Sequence, residues 1–275
     1  MQELSNRYPV WLCDVWGVIH NGFIPFQPSV EGLARHRRNG GTVILITNSP
    51  RTTPGVVRQL DDIGVDRAAY DRTVTSGDVT RELMHSYGGD KVFHLGPERD
   101  LSIFEGTGVV RVPPPEAHAV LCSGLFDDVN DDPQDYHPLL DDLHARGLVM
   151  ICANPDKVVK KGDRLLYCAG TLADMYAAKG GKVLMAGKPF APMYDDALAL
   201  AAELRGGPVD RSKVLAIGDG PETDIRGAAD YGLDAVLVAE GVTDASAGLH
   251  VVEETVRKAV PHARIVKTVH DLAWT

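Results

Sequence analysis

The chain sets short apolar runs against longer segments of helical period, and this alternation constrains the fold more than any other feature. VWLCDVW at 10–16 and the β-branched TVILITN at 42–48 read as strands, the second buried on both faces. SVEGLARHRRNG at 29–40 reads as a helix stopped by a glycine pair. TPGVVRQLDDIG at 53–64 reads as another, with Thr53 able to cap it and Pro54 in its first turn. Strand and helix alternating in this way predict a parallel α/β sheet with helices on its faces.

After residue 73 the rhythm starts afresh. KVFHLGP and AHAVLCSGL read as strands, PQDYHPLLDDLHARG as a helix, LVMICAN as a strand and GTLADMYAAKGG as a helix with a glycine stop. RVPPPEAH at 111–118 is a proline-rich connector. KVLMAGKP and SKVLAIGDG then return to strand-then-turn form, and DIRGAADYG with DAVLVAEG reads as the last helix–strand pair. The chain of 275 residues is long enough for one large domain or two modest ones.

Hydrophobic residues make up 44 % and charged residues 24 %, as in ordinary globular proteins. The formal net charge of −10 disfavours nucleic acid and anionic membranes as partners. No apolar run reaches the roughly 18 residues that a membrane span needs, and the first ten residues carry no signal-peptide pattern. Cys13, Cys122, Cys152 and Cys168 show no C-x-x-C spacing, and three of them sit in apolar runs. A reduced, cytoplasmic protein is expected.

Four expected strand ends carry polar chemistry: Asp14, Thr47–Asn48, Lys188 and Asp219, each followed closely by glycine or proline. Ligands of open parallel sheets bind beyond the carboxyl ends of the strands. Asp14 and Asp219, with Asp224 beyond, could hold a hard divalent cation such as Mg2+. A carboxylate in that place can also attack phosphorus. Thr47 and Asn48 offer hydrogen-bond donors to phosphate oxygens, and Lys188 a compact positive charge. The glycine-rich GGKVLMAGKP lacks the spacing and hydroxyl of a nucleotide P-loop, and no G-x-G-x-x-G follows a strand.

D-V-W-G-V at 14–18, I-T-N-S at 46–49, G-K-P at 187–189 and G-D-G-P-E-T-D-I at 218–225 together resemble the four motifs of the haloacid-dehalogenase superfamily. The long insert between the second and third is similar to that of the NagD-like and 4-nitrophenylphosphatase-like subgroup, with A-N-P-D at 153–156 and A-G-T-L at 169–172 resembling its cap. The resemblance implies a Rossmann-like core of residues 1–73 and 182–275 and an inserted α/β cap domain of residues 74–181. It implies a magnesium-dependent phosphatase acting on a small phosphorylated metabolite through an aspartyl-phosphate. Asp14 would be nucleophile and metal ligand, Thr47 and Asn48 would bind the phosphoryl group, and Lys188 would bridge Asp14 and phosphate. Asp219 would ligate the metal together with the main-chain carbonyl of Trp16, and Asp224 would support the metal shell. The cap would choose the substrate, with Asn154 and Asp156 as candidate contacts, because the core motifs see only phosphate and metal. The sequence leaves room for a homo-oligomer.

Trp16 departs from the resemblance. The superfamily's first motif carries a second aspartate there, acting as general acid and base. An indole has one N–H and no group that titrates near neutrality, and acid–base help is typically worth about 10²–10⁴-fold. His20 is the nearest titratable candidate to take over that duty. A second reading follows: a phosphometabolite-binding protein that keeps the metal and phosphate site without turnover. The Trp16 side chain is expected to project toward the site, since residues two apart on a strand share a face.

Overall fold

The computed structural model describes residues 1–162, 164–239 and 248–274. Six parallel strands form the larger sheet, in the order Arg264–Val269, Asp234–Val238, Val214–Gly218, Val10–Cys13, Thr42–Thr47, Arg72–Thr75. Their side chains divide with a period of two between two apolar cores. Val10, Leu12, Ile44, Ile46, Val214 and Ala216 enter one, with Met193, Ala197 and Ala201 of the helix Ala191–Arg205. Trp11, Cys13, Val43, Leu45, Leu215 and Ile217 enter the other, with Leu33 of Gln27–Arg38 and Val56 and Leu60 of Thr53–Ile63. Burial on both faces is why these strands read as continuous apolar runs rather than as alternating ones.

The central strand Val10–Cys13 pairs with Thr42–Thr47 on one side and Val214–Gly218 on the other. The chain runs outward from it in one direction first and returns much later on the other flank. That reversal opens a crevice beyond the carboxyl ends of the two strands that Asp14 and Asp219 immediately follow. The ladder continues through the Asp14 N–H, which donates to the Ile217 carbonyl at 2.8 Å.

A second parallel sheet has the order Val183–Met185, Val149–Cys152, Ala119–Cys122, Lys91–Leu95, Val110–Arg111. Helices His137–Ala145 and Ala169–Ala178 cover one face through Leu140, Leu143, Leu172 and Tyr176. Met84 and Ile103 pack on the other. An antiparallel hairpin of Val158–Lys161 and Arg164–Tyr167 stands apart from both sheets.

The structure differs from the sequence reading in several places, among them the unread strand Arg72–Thr75 and helix Ser76–Leu83. The strand Val183–Met185, expected with the segment from 182 onward, pairs with Val149–Cys152 of the second sheet. Ala186 and Gly187 make the return, and the Ser76 hydroxyl, where the chain leaves the first sheet, donates to the Ala186 carbonyl at 2.8 Å. The hairpin was not anticipated, because VVKK and RLLY carry no clear alternation. The pair ending at DAVLVAEG is not the last: the helix Leu249–Ala259 and the edge strand Arg264–Val269 follow. The final two residues of that expected strand, 240 and 241, lie outside the described residues. Helix Ala191–Arg205 was also not read: Met193, Tyr194, Ala197 and Ala201 form its buried face, but Leu198, Leu200 and Leu204 spread apolar residues around it and blur the helical period.

Candidate active site at the carboxyl ends of the core strands

Asp14, Asp219 and Asp224 converge: each offers a carboxylate oxygen within 4.8 Å of the others, and all three are buried. Asp14 follows the strand Val10–Cys13 and Asp219 follows Val214–Gly218. Asp224 comes from the wide π-type turn Pro221–Ile225 that leads into the helix Arg226–Asp230. Gly218 is a requirement of this approach, since a Cβ there would lie 2.2 Å from the Asp224 Cγ. Asp224 is held on both oxygens. Oδ2 accepts from the Gly220 N–H at 3.2 Å, and Oδ1 from the Lys188 ammonium at 2.7 Å.

Lys188 is only 2 % exposed and also donates to Asp14 Oδ1. Burial alone would lower its pKa, but Asp14, Asp224 and Asp156 outweigh that and hold the ammonium above its ordinary value. The same burial, reinforced by Asp224, pushes the Asp14 carboxyl well above the usual carboxylate range against the pull of Lys188. Three buried carboxylates gather around Lys188, an acidic cluster of the kind that suits a cation. The donor set is oxygen only. Both properties fit a hard divalent cation, with Asp14, Asp219 and Asp224 as the residues able to hold it.

Asn48 places Lys188. Its Oδ1 accepts the Lys188 N–H at 2.7 Å, and its Nδ2 donates to the Lys188 carbonyl at 3.1 Å and to Asp156 Oδ1 at 2.9 Å. Asn48, expected beside the phosphoryl group, thus also ties Lys188 to a carboxylate of the insert. Gly187, at φ 104°, permits the contact; a Cβ there would sit 2.5 Å from Asn48 Oδ1. Thr47 is buried, and its Oγ1 accepts from the Ser49 N–H at 3.2 Å.

A cavity of about 330 Å³ lies over these groups, lined by Asp14, Asn48, Lys188, Asp219 and Asp224 from the core and by Asp156, Val158, Val159 and Lys160 from the insert. A second cavity of about 180 Å³ adjoins it, with Arg51 and Gln59 from the core and Arg99, Asp100, Ser123 and Asn154 from the insert. Trp16, Thr47, Asp156 and Val159 line both. The sequence reading did not single out Arg51, Arg99 or Asp100. Asp100 is buried with Oδ2 lacking a hydrogen-bond partner, and Arg51 meets Gln59 Oε1 at 3.1 Å. No sequence signal marks a short 3₁₀ segment such as Glu98–Phe104 as a cavity wall.

Trp16 is the partition. Its side chain lines the site as expected, and its Nε1 donates to the Lys160 carbonyl at 2.7 Å, tying the core loop to the hairpin of the insert. Its ring meets His20 edge-on, with centroids 4.9 Å apart. His20 is buried, and burial lowers its imidazole to about 4, so it is uncharged at neutral pH. Its Nδ1 accepts the Gly22 N–H at 2.9 Å, and it lines only the second cavity. Trp16→Ala is expected to lower stability by about 2 kcal/mol, a discounted cost for a half-buried indole, and the melting temperature by roughly 4–8 °C. Trp16→Phe keeps the wall and loses one hydrogen bond to an exposed carbonyl, so about 1 kcal/mol or less is expected. Thermal melts decide it: an unchanged melt for the alanine variant would show that the indole does not join the two units.

All four cysteines are free and buried. Among the described residues no helix is long and apolar enough to cross a membrane.

Residues 11–110 match the family described as haloacid dehalogenase-like hydrolase, and residues 185–272 match one described as HAD-hydrolase-like. No curated protein matches the chain. Among solved structures, a hydrolase of the haloacid dehalogenase-like family from Brucella suis 1330 is 46 % identical, with 98 % of each chain covered and a TM-score of 0.89. A possible sugar phosphatase of the HAD superfamily from Cytophaga hutchinsonii shares the fold at 21 % identity, covering 100 % of this chain and 97 % of that one, with a TM-score of 0.81. A glycerol phosphate phosphatase from Mycobacterium tuberculosis in complex with magnesium does so at 24 % identity, covering 98 % of this chain and 77 % of that one, with a TM-score of 0.71. At that identity the last two speak for the fold alone, whereas the Brucella relative matches end to end; the chain belongs to the haloacid dehalogenase-like hydrolase family.

Proposed function

We propose that the protein is a phosphoric monoester hydrolase with magnesium as its cofactor, acting on a small phosphorylated metabolite. The observation that carries this reading is the buried convergence of Asp14, Asp219 and Asp224 with Lys188 at the floor of a cavity. Asp14 and Asp219 would hold the cation with the main-chain carbonyl of Trp16, and Asp224 would support it directly or through water. When bound, the cation would supply positive charge against the phosphate oxygens. An Asp14 carboxylate oxygen bonds to phosphorus as the bond from phosphorus to the leaving oxygen breaks. Water then attacks phosphorus, releasing phosphate and restoring Asp14. Lys188 and Thr47 stabilise charge on the transferring group. The insert, residues 74–185 once the strand Val183–Met185 is included, acts as the cap that selects the substrate. Its second cavity presents Arg99, Asp100, Ser123 and Asn154 to the leaving group.

Release of phosphate from a panel of small phosphomonoesters, with 4-nitrophenyl phosphate included, is expected with magnesium present. It should fall to background with EDTA and return with excess magnesium. Silence across the panel from a folded protein that still binds magnesium would favour the second reading, a binding protein whose acid was lost at Trp16.

A further inference from the structure

Trp16 leaves the site without a proton carrier at the usual place, and the geometry around it narrows the replacement. A general acid for phosphoester cleavage must stand where the phosphoryl group meets the leaving oxygen. In this fold that boundary is the wall shared by the two cavities, formed by Trp16, Thr47, Asp156 and Val159. Trp16 has no ionisable group, and its N–H is engaged with Lys160. Thr47 and Val159 carry no group that titrates near neutrality. His20 lies off the catalytic cavity. Lys160 lines that cavity, but it is exposed to solvent.

We propose that Asp156 is the proton donor and acceptor of this site, a catalytic residue supplied by the insert in place of the aspartate that Trp16 replaces. The inference rests on the hydrolase reading above. Asn48 fixes the carboxyl group: its orientation is set by Lys188, so its amide must donate to Asp156 Oδ1, and a proton on Asp156 sits on Oδ2. The Asp156 N–H donates to Asn154 Oδ1 at 3.1 Å, closing the turn that presents it. Burial favours the protonated form; Lys188 and the Asn48 bond pull the other way, Asp224 adds to burial, and the net direction is upward. In the first half-reaction the Oδ2 proton passes to the leaving oxygen as its bond to phosphorus breaks. In the second, the Asp156 carboxylate takes a proton from the water that attacks phosphorus, and Asp14 leaves as carboxylate. Atoms and charge balance over the cycle with water as the only co-reactant.

Asp156→Asn keeps an oxygen for the Asn48 bond and removes the proton. Nitrophenolate leaves without acid help, so this variant on 4-nitrophenyl phosphate with magnesium is expected to release a burst of about one equivalent. A steady rate lower than native by about 10²–10⁴-fold should follow. Acid quench and mass spectrometry should find Asp14 phosphorylated in the variant and not in the native protein. Asp156→Glu retains a carboxyl group and should turn over without accumulating that species; it also stands in if the asparagine variant fails to fold. A steady rate for Asp156→Asn within threefold of native would overturn the proposal, as would a slow variant with neither burst nor phosphorylated Asp14. Phosphorylated Asp14 accumulating in Asp156→Glu as it does in Asp156→Asn would also overturn it. A native protein that neither turns over nor becomes phosphorylated would overturn the hydrolase reading and this inference with it.

Discussion

Lys188→Met is expected to cut turnover by about 10³-fold, the scale of removing one charge-stabilising group from a phosphoryl-transfer site. It should also lower the stability of the metal-free protein by about 3–5 kcal/mol. The cause is the set left behind: Asp14, Asp219 and Asp224 without the ammonium that two of them share. The raised pKa of Lys188 means that its stabilisation is complete below its unfolded value, and so throughout the neutral range. Removing it takes away the group that holds the raised Asp14 pKa down. At acidic pH Asp14 takes up a proton and the repulsion is relieved. The melting deficit of the variant should therefore be smaller near pH 5 than near pH 8, and magnesium should restore part of it at pH 8. A deficit that is flat with pH and indifferent to magnesium would mean that Lys188 contributes packing rather than charge.

Asp14→Asn is expected to abolish turnover, by at least about 10⁴-fold, because the amide cannot act as the attacking oxygen. Its effect on stability should run the opposite way. Burial first, then Asp224, raises the Asp14 pKa in the folded protein. For a carboxyl group shifted in that direction, stability is lost as pH rises through the folded value. An uncharged asparagine escapes that loss and leaves Lys188 paired with Asp224. Metal-free Asp14→Asn should melt at or above the native protein at pH 8, with the advantage fading toward pH 4, while its affinity for magnesium falls. Parallel melts and magnesium titrations check both halves. A variant that loses stability at pH 8 and keeps full magnesium affinity would remove Asp14 from the metal site.

The two variants carry opposite charge changes at neighbouring atoms, so their contrasting melts separate electrostatics from packing. Reading them against Trp16→Ala, which alters no charge, isolates the join between the two units. A common fall in all three would point to general fragility of the crevice instead.

Much of the convergence at the site was legible before any fold was known, because in a parallel sheet a polar residue at the end of an apolar run has few places to go. Asp14, Thr47 and Asp219 each met that condition and lie at or directly beyond the carboxyl ends of core strands, whereas Lys188 follows a strand of the second sheet. Asp224 was legible by its place in the turn after Asp219, although the π-type shape of that turn was not. The α/β class followed from runs buried on both faces. The hairpin, the helix Ala191–Arg205 and the last helix–strand pair escaped because local pattern is weak where a segment is half exposed or its apolar residues spread around a helix.

The sequence by itself determined the residue types brought to the site: carboxylates, one lysine, and an indole where an acid is expected. Those are properties of residue type and of local period, which neighbours along the chain decide. Only the tertiary structure decided what each group is committed to. Asn48 reaches Asp156 across 108 positions and Lys188 reaches Asp14 across 174, and no local rule connects residues so far apart. Burial, which raises the carboxyl groups of Asp14 and Asp156, is likewise a sum over the whole fold. Trp16 shows the difference most plainly. Its composition excludes acid catalysis, but that its indole N–H holds the hairpin, and that its ring divides two cavities, depends on a strand pair that the sequence did not announce.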